Sequence, residues 1–133
     1  ENENKLSKLV DYRGFVQRDK VFDVLSDSIY LSLDINPACP NTVIEALACG
    51  APVVGFDTGS LKELVPPEAG IIVPYGSDPW QLAYPDVDAL AKAILKVKDN
   101  YAYYSANARK LAEERYSIKD MTTKYLEVIN SLI

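Results

Sequence analysis

The sequence predicts an α/β fold in which a parallel sheet carries helices on both faces. Three observations lead there. Short apolar runs at Ile29–Leu33, Pro52–Phe56 and Gly70–Val73 have the length and composition of buried strands. Stretches with helical spacing lie between them, and alternation of strand and helix is the pattern of βαβ units. The last third of the chain is helical in pattern, beginning near Val87. A length of 133 residues suits one domain with one core.

Taken in order, Leu9-Val10-Asp11-Tyr12 reads as a short strand followed by a turn at Gly14. From Asp19 to Leu25, the residues Val21, Phe22 and Leu25 share one helical face. Ile29-Tyr30-Leu31-Ser32-Leu33 reads as a strand buried on both faces, and it feeds a polar loop, Asp34 to Pro40. A helix from Asn41 to Cys49 follows, and Gly50 supplies the left-handed residue that ends it. Pro52 opens the next strand, where its missing N–H does least harm. Ser60 is placed to cap a short helix from Leu61 to Val65, with Glu63 set to complete a capping box and Pro66-Pro67 to stop it. Gly70-Ile71-Ile72-Val73 is the last strand. Tyr75 to Tyr84 is expected to be a loop, with Trp80 covering an edge of the core.

Three helices close the chain. Val87, Leu90, Ala91, Ile94 and Leu95 form the apolar stripe of the first. Ala108, Leu111 and Ala112 are in register on the second, from Tyr101 to Arg115, where the cluster Tyr101, Tyr103 and Tyr104 is expected to serve helix packing. Ser117-Ile118-Lys119-Asp120 resembles a capping box, and Met121, Tyr125, Val128, Ile129 and Leu132 are expected to be the core face of the third. These helices would cover one side of the sheet or reach towards a neighbouring domain. There is no internal repeat, low-complexity tract or interdomain linker. The polar start, Glu1 to Lys5, has no initiator Met and reads as a boundary within a longer protein.

Composition narrows the chemistry. A net charge of −5 argues against a nucleic-acid partner and against a broad basic membrane face. No apolar run has the length of a membrane span. The two cysteines, Cys39 and Cys49, form no CxxC pair, and reduced thiols in a cytoplasmic protein are expected. The chain has no histidine, which removes Ser-His-Asp and Cys-His catalysis and His-based metal sites within it.

In open α/β sheets, ligands bind at the carboxyl ends of strands beside helix N-termini. The strand ending at Leu33 leads through its loop to a helix that begins near Pro40 or Asn41, with Pro40 suited to its first position. The free N–H groups of that first turn and the helix dipole make an anion site. Asn41 and Thr42 could add side-chain hydrogen bonds to the anion, or could simply cap the helix. Glu45 lies one turn further in. A carboxylate near a phosphate suits a neutral diol, so the residues read as a site for a nucleotide diphosphate, with phosphate at the tip and ribose on Glu45.

The run Asn36-Pro37-Ala38-Cys39-Pro40-Asn41-Thr42-Val43-Ile44-Glu45-Ala46-Leu47-Ala48-Cys49-Gly50-Ala51-Pro52-Val53-Val54 resembles the donor-site signature of retaining glycosyltransferase family four, group 1, of GT-B architecture. Asp57 to Val65 is similar to that family's Gly-Gly-x-x-Glu-(Ile/Leu)-Val segment, Gly70 to Val73 to its next strand, and Asp86 to Leu95 to the helix after it. Upstream, Tyr12-Arg13-Gly14-Phe15-Val16 resembles the strand and turn that border the nucleotide base.

The resemblance implies a Rossmann-like sheet flanked by helices, with residues 1–133 as one domain: the later portion of a GT-B C-terminal, nucleotide-sugar-binding lobe. It implies transfer of a sugar from a nucleoside-diphosphate donor to an acceptor hydroxyl with retention of configuration. Glu45 matches the second Glu of the E-x7-E motif, which holds the donor ribose. The N–H groups of Asn41, Thr42 and Val43 match the helix tip that meets the diphosphate. The loop Asn36, Pro37, Ala38, Cys39, Pro40 matches the part facing the donor sugar, and Gly14, Phe15 and Val16 the segment at the base. The first Glu of the motif falls at Pro37, which has no carboxylate, and this puts the identity of the sugar in doubt.

Neither the acceptor-binding N-terminal domain nor the βαβ unit whose Arg and Lys neutralise the leaving diphosphate has a match here. The fragment alone is therefore expected to be inactive. The acceptor, a glycan, a lipid or a small molecule, would bind through that other domain, and a peripheral membrane contact of the parent stays open. No cofactor or metal is expected, on the reading that no Asp-x-Asp metal motif is present and that a helix dipole with cations can stand in for a divalent ion. A nucleotide-sugar epimerase, a non-catalytic nucleotide-binding module and an unrelated α/β domain stand as the alternatives.

Overall fold

The computed structural model describes residues 10–132. After a 3-10 turn at Arg18–Lys20, the elements run α1 (Val21–Leu25), β1 (Tyr30–Ser32), α2 (Asn41–Ala48), β2 (Val53–Phe56), α3 (Leu61–Leu64) and β3 (Gly70–Val73). A second 3-10 turn, Pro79–Gln81, precedes α4 (Val87–Asp99), α5 (Tyr101–Arg115) and α6 (Ile118–Ser131). The three strands form one parallel sheet in the order β1-β2-β3, with Tyr30 opposite Val53 and Val53 opposite Gly70. The α/β class with a parallel sheet is therefore what the molecule adopts.

The twofold alternation of side chains sorts the sheet into two apolar layers. Val53 points to one face, where it packs with Val43, Ala46 and Leu47 of α2, Leu61 of α3, and Ala108 and Leu111 of α5. Val54 and Phe56 point to the other, where Val73 joins them under Leu90, Ala93 and Val97 of α4 and Tyr104 of α5. The Phe56 and Tyr75 rings meet edge to face at 5.3 Å between centroids. Side-chain contacts to backbone tie the helices down: the Tyr116 hydroxyl donates to the Leu64 carbonyl at 2.8 Å, and Arg109 donates to the Ala48 carbonyl at the end of α2.

Several expectations need correction. Val10 to Tyr12 is not a strand; Leu9 lies outside the described residues. Among the described residues this segment joins no ladder, and its side chains stay exposed, so neither hydrogen bonding nor burial holds it extended. The β1 strand is not buried on both faces: Ser32 is buried, but Leu31 and Leu33 are exposed. Trp80 covers no core edge and is 78% exposed, carried out on the 3-10 turn that Asp78 caps by accepting the Trp80 N–H at 2.9 Å. On α4 the buried row is Leu90, Ala93 and Val97, whereas Val87, Ala91 and Leu95 are exposed.

The expected core face of α6 is not a core face either. Met121, Tyr125, Val128, Ile129 and Leu132 are each at least half exposed, because no described element packs over them. Ser117 caps that helix, its Oγ accepting the Asp120 N–H at 3.1 Å, but only this half of the expected capping box forms: the Asp120 carboxylate pairs with Lys124 at 2.6 Å. The closing helices do not share one side of the sheet: α4 lies on one face and α5 mainly on the other.

Candidate functional site

The loop after β1 owes its shape to the turn before α3. Gly59 takes φ of +55°, a region L side chains avoid, and a Cβ there would fall 2.3 Å from the Pro37 carbonyl oxygen. That carbonyl accepts both the Ser60 N–H, at 2.9 Å, and the Ser60 hydroxyl, at 3.1 Å. Thr58 Oγ1 donates to the Asp34 carbonyl at 3.1 Å. Two backbone oxygens of the loop are thus held by three hydrogen bonds from Thr58 and Ser60 of another segment. The expected capping box is absent as a result: the Ser60 hydroxyl is spent on Pro37, and no side chain caps α3. Pro37, at the position of the first Glu of E-x7-E, is buried and acts as this anchor.

The loop delivers the chain to α2. Pro40 is the residue before the helix, one position earlier than expected, and no side chain caps the helix. The structure also corrects the capping role considered for Asn41 and Thr42, whose side chains point to no backbone N–H of the first turn. The Val43 N–H bonds the Pro40 carbonyl at 3.0 Å, so the expected trio of free amides narrows. Among the described residues the amides of Asn41 and Thr42 have no protein partner. The base of the helix is fixed by the buried Val43, Ala46 and Leu47. Gly50, with φ of +75°, ends it.

A cavity of about 320 Å³ lies between α1 and α2, lined by Arg18, Val21, Phe22, Asn41 and Glu45. The structure therefore brings Asn41 and Glu45 together. It does not bring the other expected residues to the same wall. Asn36, Ala38 and Cys39 are exposed on the loop, and Gly14 and Phe15 are exposed at the turn before Arg18, with Val16 half-buried. Phe15 is 92% exposed. Sequence reasoning does not single out Arg18, Val21 and Phe22 as ligand-facing. Only the helical run from Asp19 to Leu25 hinted at them, and the packing of α1 on α2 that makes them neighbours of Glu45 has no local signature. Glu45 and Arg18 make no salt bridge to each other or to another side chain among the described residues. Burial raises the pKa of the Cys49 thiol behind this wall, with Arg109 opposing that shift and Glu45 adding to it.

A larger cavity, about 520 Å³, opens between β1 and α4, lined by Leu31, Leu33, Ile35, Phe56, Val87 and Ile94 among others. It is almost wholly hydrocarbon and offers no charged group to fix a ligand, so it reads as uncovered sheet face. Contrary to expectation the sequence does hold one Asp-x-Asp triplet, Asp86-Val87-Asp88, a common metal signature. Asp86 is occupied there as the cap of α4, its Oδ1 accepting the Ala89 N–H at 2.9 Å. No helix among the described residues is long and apolar enough to cross a membrane.

With this geometry in place, comparison with known proteins gives the family. The model of the family described as glycosyl transferases group 1 matches residues 1–100, and the chain belongs to that family. The solved structures that share the fold include the following two. Sucrose-phosphate synthase from Thermosynechococcus elongatus is 22% identical with a TM-score of 0.75, over 98% of this chain and 32% of that one. The pneumococcal O-GlcNAc transferase GtfA, solved in complex with UDP and GlcNAc, is 18% identical with a TM-score of 0.74, over 98% of this chain and 26% of that one. The chain thus spans between a quarter and a third of these proteins. No curated protein sequence matches it.

Proposed function

We propose that this chain is the donor-binding portion of a retaining glycosyltransferase that uses a nucleoside-diphosphate sugar. The observation that carries the reading is the pairing of two uncommitted groups on one helix: the amides of Asn41 and Thr42 at its tip, and the carboxylate of Glu45 one turn in. The tip suits the diphosphate, since amide hydrogens and the positive end of the helix dipole both favour an anion. Glu45 accepts hydrogen bonds from the ribose diol, which is neutral and so is not repelled. Asn36, Ala38, Cys39 and Pro40 face the sugar from the loop, and Gly14, Phe15 and Val16 border the base.

In the parent enzyme the bond between the anomeric carbon and the diphosphate oxygen breaks, the acceptor oxygen bonds to that carbon on the same face, and the acceptor proton passes to the departing diphosphate. The α2 tip stabilises the departing diphosphate along with cations from elsewhere in the polypeptide, and no divalent ion is required. The acceptor belongs to the remainder of the protein, and the cytoplasm, where such donors are made, is the proposed compartment.

The test is the affinity of the chain for UDP, GDP and ADP, beside Glu45→Gln. Loss of a carboxylate that accepts from a diol should weaken the preferred nucleotide on the order of tenfold. Equal binding by the variant would remove the ribose role. Conversion of the donor to a stereoisomer by the full protein without acceptor would instead assign an epimerase.

A further inference from the structure

We infer that Arg18 is a specificity-determining residue that selects a nucleotide base carrying an exocyclic carbonyl, uracil or guanine, over the amino bases cytosine and adenine. The inference rests on the donor reading above and names the part of the donor that the far wall of the same cavity would recognise.

The argument starts from linear order. A nucleoside diphosphate presents phosphate, ribose and base in sequence. Asn41 opens α2, and Glu45 lies four residues in, about 6 Å along the axis. With phosphate at the tip and ribose at Glu45, the base extends to the wall that does not belong to α2. That wall is Arg18, Val21 and Phe22, which follow in the chain shortly after the Gly14–Val16 segment proposed to border the base. Phe22 is about half exposed and Val21 half-buried, so they offer an apolar face to a flat ring.

Arg18 differs from the other charged groups nearby. Lys20 faces Asp23 at 3.9 Å and Arg13 pairs with Asp11 at 2.9 Å, whereas Arg18 has no ion pair or side-chain hydrogen bond among the described residues. It also stays apart from Glu45, although both line one cavity. A guanidinium is a donor only, so a ligand group that meets it must accept. A base that extends away from the ribose turns its far edge to this wall, and there uracil presents O4 and guanine O6. Cytosine and adenine carry an amino donor at the equivalent position, which a guanidinium repels.

The experiment compares UDP with CDP and GDP with ADP, each pair differing in the carbonyl-for-amino exchange, by titration calorimetry on the chain, on Arg18→Met, Arg18→Lys and Glu45→Gln. Arg18 is exposed and has no ion pair among the described residues, so neither substitution threatens the fold. The carbonyl member of one pair should bind on the order of tenfold tighter to the unaltered chain. Arg18→Met should bring that ratio near one while the amino-base nucleotide keeps its affinity, and Arg18→Lys should restore part of the preference. A ratio unchanged by Arg18→Met, with Glu45→Gln still damaging, overturns the role of Arg18 and leaves the donor reading standing. Equal weakening of all four nucleotides, together with weaker inorganic pyrophosphate binding, places Arg18 on the phosphate and also overturns it. No binding of any nucleotide removes the donor reading and this inference together.

Discussion

The two faces of the sheet differ in how far the chain completes them. On the face of α2, α3 and α5, the large side chains Leu47, Leu61, Val43 and Val53 are fully buried. On the face of α4, the helix covers β2 and β3 but leaves Leu31 and Leu33 of the β1 side bordering an open cavity of about 520 Å³. The first face supports the candidate site, because α2 sits on it and its tip and Glu45 stand beyond the packed layer. The second carries no such chemistry. The size of a cavity is thus a poor guide here: the smaller one holds the charged and hydrogen-bonding groups, and the larger one is bare hydrocarbon.

Substitutions break this comparison at graded strength. Leu47→Ala, in the closed layer under α2, should cost about 2–5 kcal/mol of stability, read by chemical denaturation. Gly59→Ala forces an L residue into positive φ and drives a Cβ into the Pro37 carbonyl. A loss of about 1–3 kcal/mol is expected, with amide shifts changing through residues 34–40. Ser60→Ala removes one hydroxyl donor from that same carbonyl and should cost about 1 kcal/mol, since the Ser60 N–H still bonds it. Leu31→Ser, on the open face, should cost less than Leu47→Ala, about 1–2 kcal/mol, because Leu31 is already 39% exposed. If Leu31→Ser proved as damaging as Leu47→Ala, the two faces would not differ as described. The thiols offer a smaller contrast: the exposed Cys39 should alkylate ahead of Cys49, whose pKa burial raises, and mass mapping after brief iodoacetamide treatment reads the order.

What the sequence revealed follows the same division. Gly70–Val73 has the expected bounds because four apolar residues stand between turn-formers, and α2 runs where its buried residues and terminal Gly50 put it. These elements bury their apolar residues against others within the chain, so pattern and packing agree. Val10–Tyr12, Trp80 and the stripe of α6 carry the same apolar signals but lack a described partner to bury them. An apolar pattern states that a residue suits burial, and only topology supplies the cover. Of the site, Glu45 and Asn41 were legible through the strand–loop–helix logic. The anchoring role of Pro37 depends on Gly59 and Ser60, more than twenty residues away, and the approach of Arg18 depends on how α1 packs on α2; neither has a local signature.

The most direct test of the central claim is an amide-resolved NMR titration of the chain with UDP and GDP, read residue by residue. A nucleotide at the α2 tip should shift the amides of Asn41, Thr42 and Glu45 most, while Leu31, Leu33 and Ile94 around the larger cavity stay still. Shifts confined to that apolar cavity, or none at all at saturating nucleotide, would contradict the account.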